Sequence, residues 1–272
     1  MIFNGVGRFT AIVIIVGMLH GWAAGAMTAV LIGCVSALWG SGWHCREILR
    51  APGAPFQWRP WLAQVVPLTC GVGAGLFVMN ADMVVVQSFF PKEVTAFYAA
   101  GAMIGLALVT FTTPLAAVMF PKIVRSLARA ETSQALPLAL GATALLGGLG
   151  ALVCTLFPEL VLRILFFRNL TFLKAAPLVP WFMWCLVPVT LANVLIGNLL
   201  ARKKFAVVPW LVAIALGYGI ALVAYLRTAV QAEPFLAFRT VVQILGVFSL
   251  LLLFTAGFFT FHKGRGGSGE QL

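Results

Sequence analysis

One carboxylate, Asp82, lies inside a long apolar stretch, Leu62–Val86. A charged side chain at membrane depth costs a few kcal/mol, so it faces a partner or a cavity. Counted back from Pro91 it sits nine residues in, or roughly 13 Å at 1.5 Å per helical residue. Asn80 and Gln87 flank it as candidates for the same polar environment. Two readings stay open: coupling to a cation, a proton or a polar substrate, or a structural acid paired with a neighbouring helix or reaching the headgroups. Asn193, Asn198 and Gln243 are neutral polar residues in apolar stretches; such groups serve as interhelical hydrogen-bond partners or line a substrate or ion path. Lys122, Arg125 and Arg129 share one helical face by their i, i+3, i+7 spacing. That face is placed to meet phosphates, either of anionic headgroups or of a lipid carrier.

Enzyme chemistry finds little support. The seven acids never pair, no His cluster or DxD-type motif occupies a loop, and there is no P-loop. Cys34, Cys45, Cys70, Cys154 and Cys185 are scattered without a CxxC pair, which fits small apolar core residues better than a disulfide or metal framework. The three histidines are far apart. The reading is of a non-enzyme with no metal and no cofactor. Asn169-Leu170-Thr171 matches a glycosylation acceptor, a short and common pattern.

The elements that must position these residues are apolar helices. Hydrophobic residues make up 62% of the 272 and charged ones only 9%, against about 25% charged in soluble domains. Eight spans follow, at 5–19, 22–41, 62–88, 95–120, 136–157, 173–200, 205–226 and 236–261. Nearly all have the about 20 residues that cross a hydrocarbon core. Arg8 and the apolar run Thr10–Leu19 resemble a signal peptide, but a second apolar span, Trp22–Trp39, follows at once, so a hairpin turning at Leu19–Trp22 is expected. The net charge of +11 is not the one-faced patch of a nucleic-acid binder. The basic residues sit at span ends, as in cytoplasmic loops. With both termini in the cytoplasm, twelve of the 18 Lys and Arg fall inside, in loops near 42–61, 121–135 and 201–204 and at the termini.

Several spans carry interior Pro or Gly: Pro67 and Gly71-Val72-Gly73-Ala74-Gly75 in the third, Pro114 in the fourth, Gly147, Gly148 and Gly150 in the fifth, and Pro188 in the sixth. A single Gly reads as a close-packing site. The Gly run in the third span reads as a bend, of the kind transporters place at binding sites.

The stretches Asn80-Ala-Asp-Met-Val-Val-Val-Gln-Ser-Phe-Phe, Phe97-Tyr-Ala-Ala-Gly and Val118-Met-Phe-Pro-Lys, with Leu162-Arg-Ile-Leu-Phe beyond, come in an order and spacing that resembles polysaccharide (O-antigen type) flippases. These belong to the multidrug/oligosaccharidyl-lipid/polysaccharide exporter superfamily. The resemblance implies an all-α polytopic protein of two six-helix lobes. It also implies translocation of undecaprenyl-pyrophosphate-linked glycans by alternating access across the bacterial cytoplasmic membrane. On that alignment 1–43 is the last hairpin of the first lobe, 44–61 the cytoplasmic inter-lobe linker, 62–262 the second lobe and 263–272 a cytoplasmic tail. The first four helices have no counterpart here. Implied partners are lipid-linked glycan, membrane lipids and, in place of the missing helices, further chain or polysaccharide assembly proteins; nucleic acid is not among them. The alternatives are a multidrug/cation antiporter of the same superfamily and a non-transporting scaffold in an envelope biosynthesis complex.

Overall fold

The computed structural model describes residues 2–18, 22–46, 57–128, 135–167, 169–229 and 233–261. Every regular element among them is helical. Apolar segments facing lipid must satisfy their own backbone groups, and a helix does so within one segment. The chain divides into two compact units, Met1–Trp58 and Arg59–Leu272.

In the first unit, α1 (Ile2–Ile12) runs on through a π-helical stretch (Val13–Met18) and packs against α2 (Trp22–His44). Gly7 permits the approach, since a Cβ there would run into the Ser36 side chain. Residues 19–21, where the hairpin turn was expected, lie outside the described residues.

The second unit holds α3 (Trp58–Phe89), α4 (Lys92–Ala128), α5 (Ala135–Leu156), α6 (Pro158–Leu165), α7 (Val179–Ala201), α8 (Val208–Ala229) and α9 (Pro234–Phe261). Three-residue-per-turn segments, Leu170–Leu178 and Phe205–Val207, lead into α7 and α8. Among the described residues six segments are long and apolar enough to cross a membrane. They correspond to α3, α4, α5, the Leu170–Ala201 segment ending in α7, α8 and α9. The chain is an all-α polytopic membrane protein. These six match the last six of the eight expected spans; the first two, 5–19 and 22–41, fall in the first unit, which the structure describes only in part.

α7 is the axis of this unit, packing against α9, α4 and α5. Of its apolar window 56% is buried, against 22% for α3. A helix apolar all round is a core helix, and α7 is one. Trp181, near its start, lies under the Arg239 guanidinium of α9 at 4.4 Å, a cation–π pair suited to a headgroup boundary.

Two local features depart from the sequence reading, and two more add detail to it. The α4 helix continues through Pro121, Lys122 and Arg125 to Ala128, where a loop was expected, because Lys, Arg, Leu and Ala sustain a helix beyond the apolar run. An extra short helix, α6, follows α5, with Pro158 in its first turn and an exposed Glu159–Arg163 pair at 3.7 Å. Its exposed Leu160 and Ile164 and buried Leu162 fit a helix lying at the membrane surface. Asn169, the glycosylation-type residue, caps the segment after it by accepting the Thr171 N–H at 3.2 Å. Finally, α7 ends at Arg202–Lys204, where the Lys204 N–H reaches Leu199 O and the Lys203 N–H reaches Leu200 O. This double closure needs a left-handed residue, and Lys203 supplies it at φ 55°.

The Gly71–Gly75 run does not interrupt α3, which is helical throughout. Side chains of α7 reach over two of its glycines: a Cβ on Gly71 would meet Leu200 Cδ2 at 3.1 Å, and one on Gly75 would meet Asn193 Oδ1 at 2.8 Å. Gly73, between them, faces open space.

Candidate functional site

Asp82 points into the bundle and is 3% exposed. Val78 and Val86, one turn to either side on the same helical face, are fully buried. The Tyr98 hydroxyl of α4 donates to Asp82 Oδ2 at 2.5 Å. Asp82 and Tyr98 each lie eight residues from Phe90, the centre of the α3–α4 turn, and equal distances from a hairpin turn give equal depth. Aromatic rings close over the pair: Tyr98 meets Phe182 of α7 at 5.0 Å and Phe238 of α9 at 5.2 Å, both edge-on. Phe90 meets the same Phe238 at 5.2 Å. Tyr218 of α8 and Cys185 of α7 stand within electrostatic reach of this pair. The Tyr218 hydroxyl has no hydrogen-bond partner among the described residues.

Further along the bundle, away from that turn, α3, α4, α5 and α7 enclose a cavity of about 240 Å³. Its polar lining is Thr112, Thr143, Thr190 and Asn193; Val72, Leu76 and Met79 of α3 form one wall. Val72 is 48% and Leu76 55% exposed, so the cavity reaches the lateral surface along α3. Thr112 donates to Val109 O at 2.8 Å and Thr190 to Val187 O at 2.7 Å. Thr143, 1% exposed, has no partner for its hydroxyl among the described residues. A buried hydroxyl left unpaired costs about 1–3 kcal/mol, which favours an occupant that can bond it. Asn193 Nδ2 reaches only the Met79 sulfur, at 3.5 Å, a weak acceptor.

The residues singled out in the sequence therefore separate. Asp82 is buried and paired. Asn80 does not share its environment: it is exposed and donates to Leu76 O of its own helix at 2.8 Å. Two residues along a helix is a rotation of about 200°, so Asn80 takes the opposite face. Gln87, five residues on, is also exposed. Asn193 lines the cavity. Asn198, buried one turn below it, accepts from Arg202 Nε at 3.1 Å, and its Nδ2 has no partner among the described residues. Gln243 is exposed on α9. Lys122 and Arg125 lie on the helical backbone of α4, but their side chains, and all of Arg129, lie outside the described residues.

Sequence reasoning missed Tyr98 and Thr143. The equal spacing about Phe90 was a usable signal for Tyr98. Thr143 and Thr155 are the two hydroxyl residues of an otherwise apolar and glycine-bearing α5; Thr155 accepts the Trp184 indole N–H at 3.0 Å, and only Thr143 faces the cavity.

No known protein family, curated protein or solved structure matches this chain.

Proposed function

We propose that this membrane protein is a transporter whose path includes the cavity between α3, α4, α5 and α7, and that its cargo is a lipid-linked oligosaccharide. The observation that carries transport is the hydroxyl-lined space itself. A bundle serving only as a scaffold gains nothing from a cavity with an unpaired Thr143 hydroxyl, whereas a path needs polar groups spared from helix–helix pairing. The cargo class rests on the ordered flippase-like motifs around Asp82, Tyr98 and Pro121-Lys122. Lateral exposure of Val72 and Leu76 supports it, since a lipid-anchored cargo keeps its tail in the bilayer while its headgroup enters. At about 240 Å³ the cavity holds part of a glycan at a time, so passage requires α3 to move against α7. The glycine contacts at Gly71 and Gly75 are the places where that movement is tightest.

The membrane is, on this reading, the bacterial cytoplasmic membrane, with both termini inside as the basic loops indicate. Anionic lipids, and assembly proteins for polysaccharide, are the expected partners.

The test is transport by the purified full chain in vesicles. A fluorescent polyprenyl-pyrophosphate oligosaccharide is placed in one leaflet and its accessibility to a membrane-impermeant glycosidase is followed. The expected result is loss of sidedness in protein-containing but not empty vesicles. A second reading, a cation antiporter, draws on the buried Asp82; extrusion of a cationic dye under a proton gradient, without glycan movement, selects it. If neither cargo moves in vesicles that hold folded protein, the transport reading falls and a scaffold role stands.

A further inference from the structure

We infer that the cavity between α3, α4, α5 and α7 binds a neutral, hydroxyl-bearing solute group rather than an ion. The inference rests on reading this cavity as part of a solute path, and it names the chemical class the site takes.

Charge is the first argument. None of the cavity's described lining residues carries one. An ion stripped of water in a low-dielectric site needs a counter-charge or a closely spaced shell of oxygens. The buried acid of the bundle, Asp82, is not in the lining and is held by Tyr98. Among the described lining residues a cation therefore finds no carboxylate, and an anion finds no base.

Hydrogen-bonding capacity is the second. The Thr112 and Thr190 protons are committed to backbone carbonyls, so these hydroxyls offer lone pairs as acceptors. Thr143 has its hydroxyl uncommitted and can both donate and accept. Asn193 spends its amide on a thioether at 3.5 Å and would turn to a better partner. Acceptors beside one free donor–acceptor match a hydroxyl, which itself gives one proton and takes others. The rest of the wall, Val72, Leu76, Met79 and Val109, is apolar and suits the C–H face of a polyol or sugar ring. In the absence of solute, waters take the same positions, for the site is polar and has room for several at about 30 Å³ each.

The test uses the intact chain in lipid nanodiscs, with no gradient applied. Hydroxyl radicals from X-ray radiolysis mark side chains next to bound water, and two methionines serve as reporters: Met79 on the cavity wall and Met183 in the packed core of α7. Met79 is expected to oxidise several-fold faster than Met183, and Thr143→Val to slow Met79 alone. Millimolar erythritol, far below the range where excluded polyols stabilise proteins generally, is expected to raise the melting temperature. Sodium chloride at the same concentration is expected not to. Thr143→Val should abolish the erythritol shift and Thr143→Ser, which keeps the hydroxyl, should retain it. The inference is overturned if Met79 is as protected as Met183, or if sodium gives the shift and erythritol does not. It also fails if Thr143→Val melts higher with Met79 oxidation unchanged, the mark of a dry, unsatisfied hydroxyl. Polyol binding together with an immobile glycan in the vesicle assay would reject the transport reading and leave this site standing.

Discussion

Near the α3–α4 turn, a carboxylate and a phenol are sealed beneath aromatic rings; along the same helices toward the other end, three threonines and an asparagine surround open space. Both regions put polar atoms inside an apolar bundle. Asp82 is satisfied by one short bond from Tyr98 and packed over by Phe182 and Phe238. Thr143 has no such partner among the described residues and lines a cavity instead. The difference is that the acid is paired and packed over where α3 meets α4. The neutral residues, individually unremarkable, line a cavity between four helices. Glycines are closely contacted in both regions, at Gly71 and Gly75 as at Gly101 and Gly105, and Gly73 is an exception. At Gly101 and Gly105 of α4 the rings and methyls of Phe182 and Leu186 press against the backbone, whereas Gly73, on the cavity-bearing stretch of α3, faces open space.

The contrast can be broken by removing bulk on each side. Phe182→Ala is expected to lower stability by about 3–5 kcal/mol, as for large-to-small changes in a filled core. Met79→Ala, beside existing space, should cost markedly less. Unfolding of the purified chain by SDS titration measures both, and equal losses would erase the distinction between a packed and an open region.

A smaller effect tests the Asp82–Tyr98 pair. Tyr98→Phe keeps the ring and strands the Asp82 carboxyl, an expected loss of about 1–3 kcal/mol. Asp82→Asn, which keeps a hydrogen-bonding group, should cost less. Because the residues touch, the double variant should depart from the sum by about 0.5–3 kcal/mol. Additivity in the same titration would mean that the bond does not hold the helices together.

The smallest contrast is in the glycines. A Cβ on Gly105 would meet Leu186 Cδ1 at 2.5 Å, so Gly105→Ala should destabilise by about 1–3 kcal/mol through overpacking. A Cβ on Gly73 meets nothing within 4 Å. Gly73→Ala should therefore be neutral or stabilise by up to about 1 kcal/mol through helix propensity. Thermal melts in detergent separate the signs, and a destabilising Gly73→Ala would show that its face is in fact occupied.

Much of the fold was legible in the sequence. The six long helices of the second unit begin and end within several residues of the apolar runs, because hydropathy over a window reports what lipid requires of a segment. Where bounds shifted, polar helix formers extended an element, as at Lys122–Ala128, or a short amphipathic piece was hidden by its length, as at Pro158–Leu165. The candidate site was less legible. Asn80, Asp82 and Gln87 are neighbours in sequence, but Asn80 and Gln87, seven residues apart, share an outward face of α3 and only Asp82 turns inward. Tyr98 could have been found by counting outward from Phe90. Thr143 could not, since nothing in α5 states which of its faces meets α7.

The sequence by itself determined that this chain is helical, that it belongs in a membrane and where its helices run. Those properties depend on local composition and length, and each segment carries them alone. Only the tertiary structure decided which polar groups pair and which stand open. Each residue turns a helix by about 100°, so a partner is chosen by the rotation and contact of whole helices about α7, which no single segment encodes.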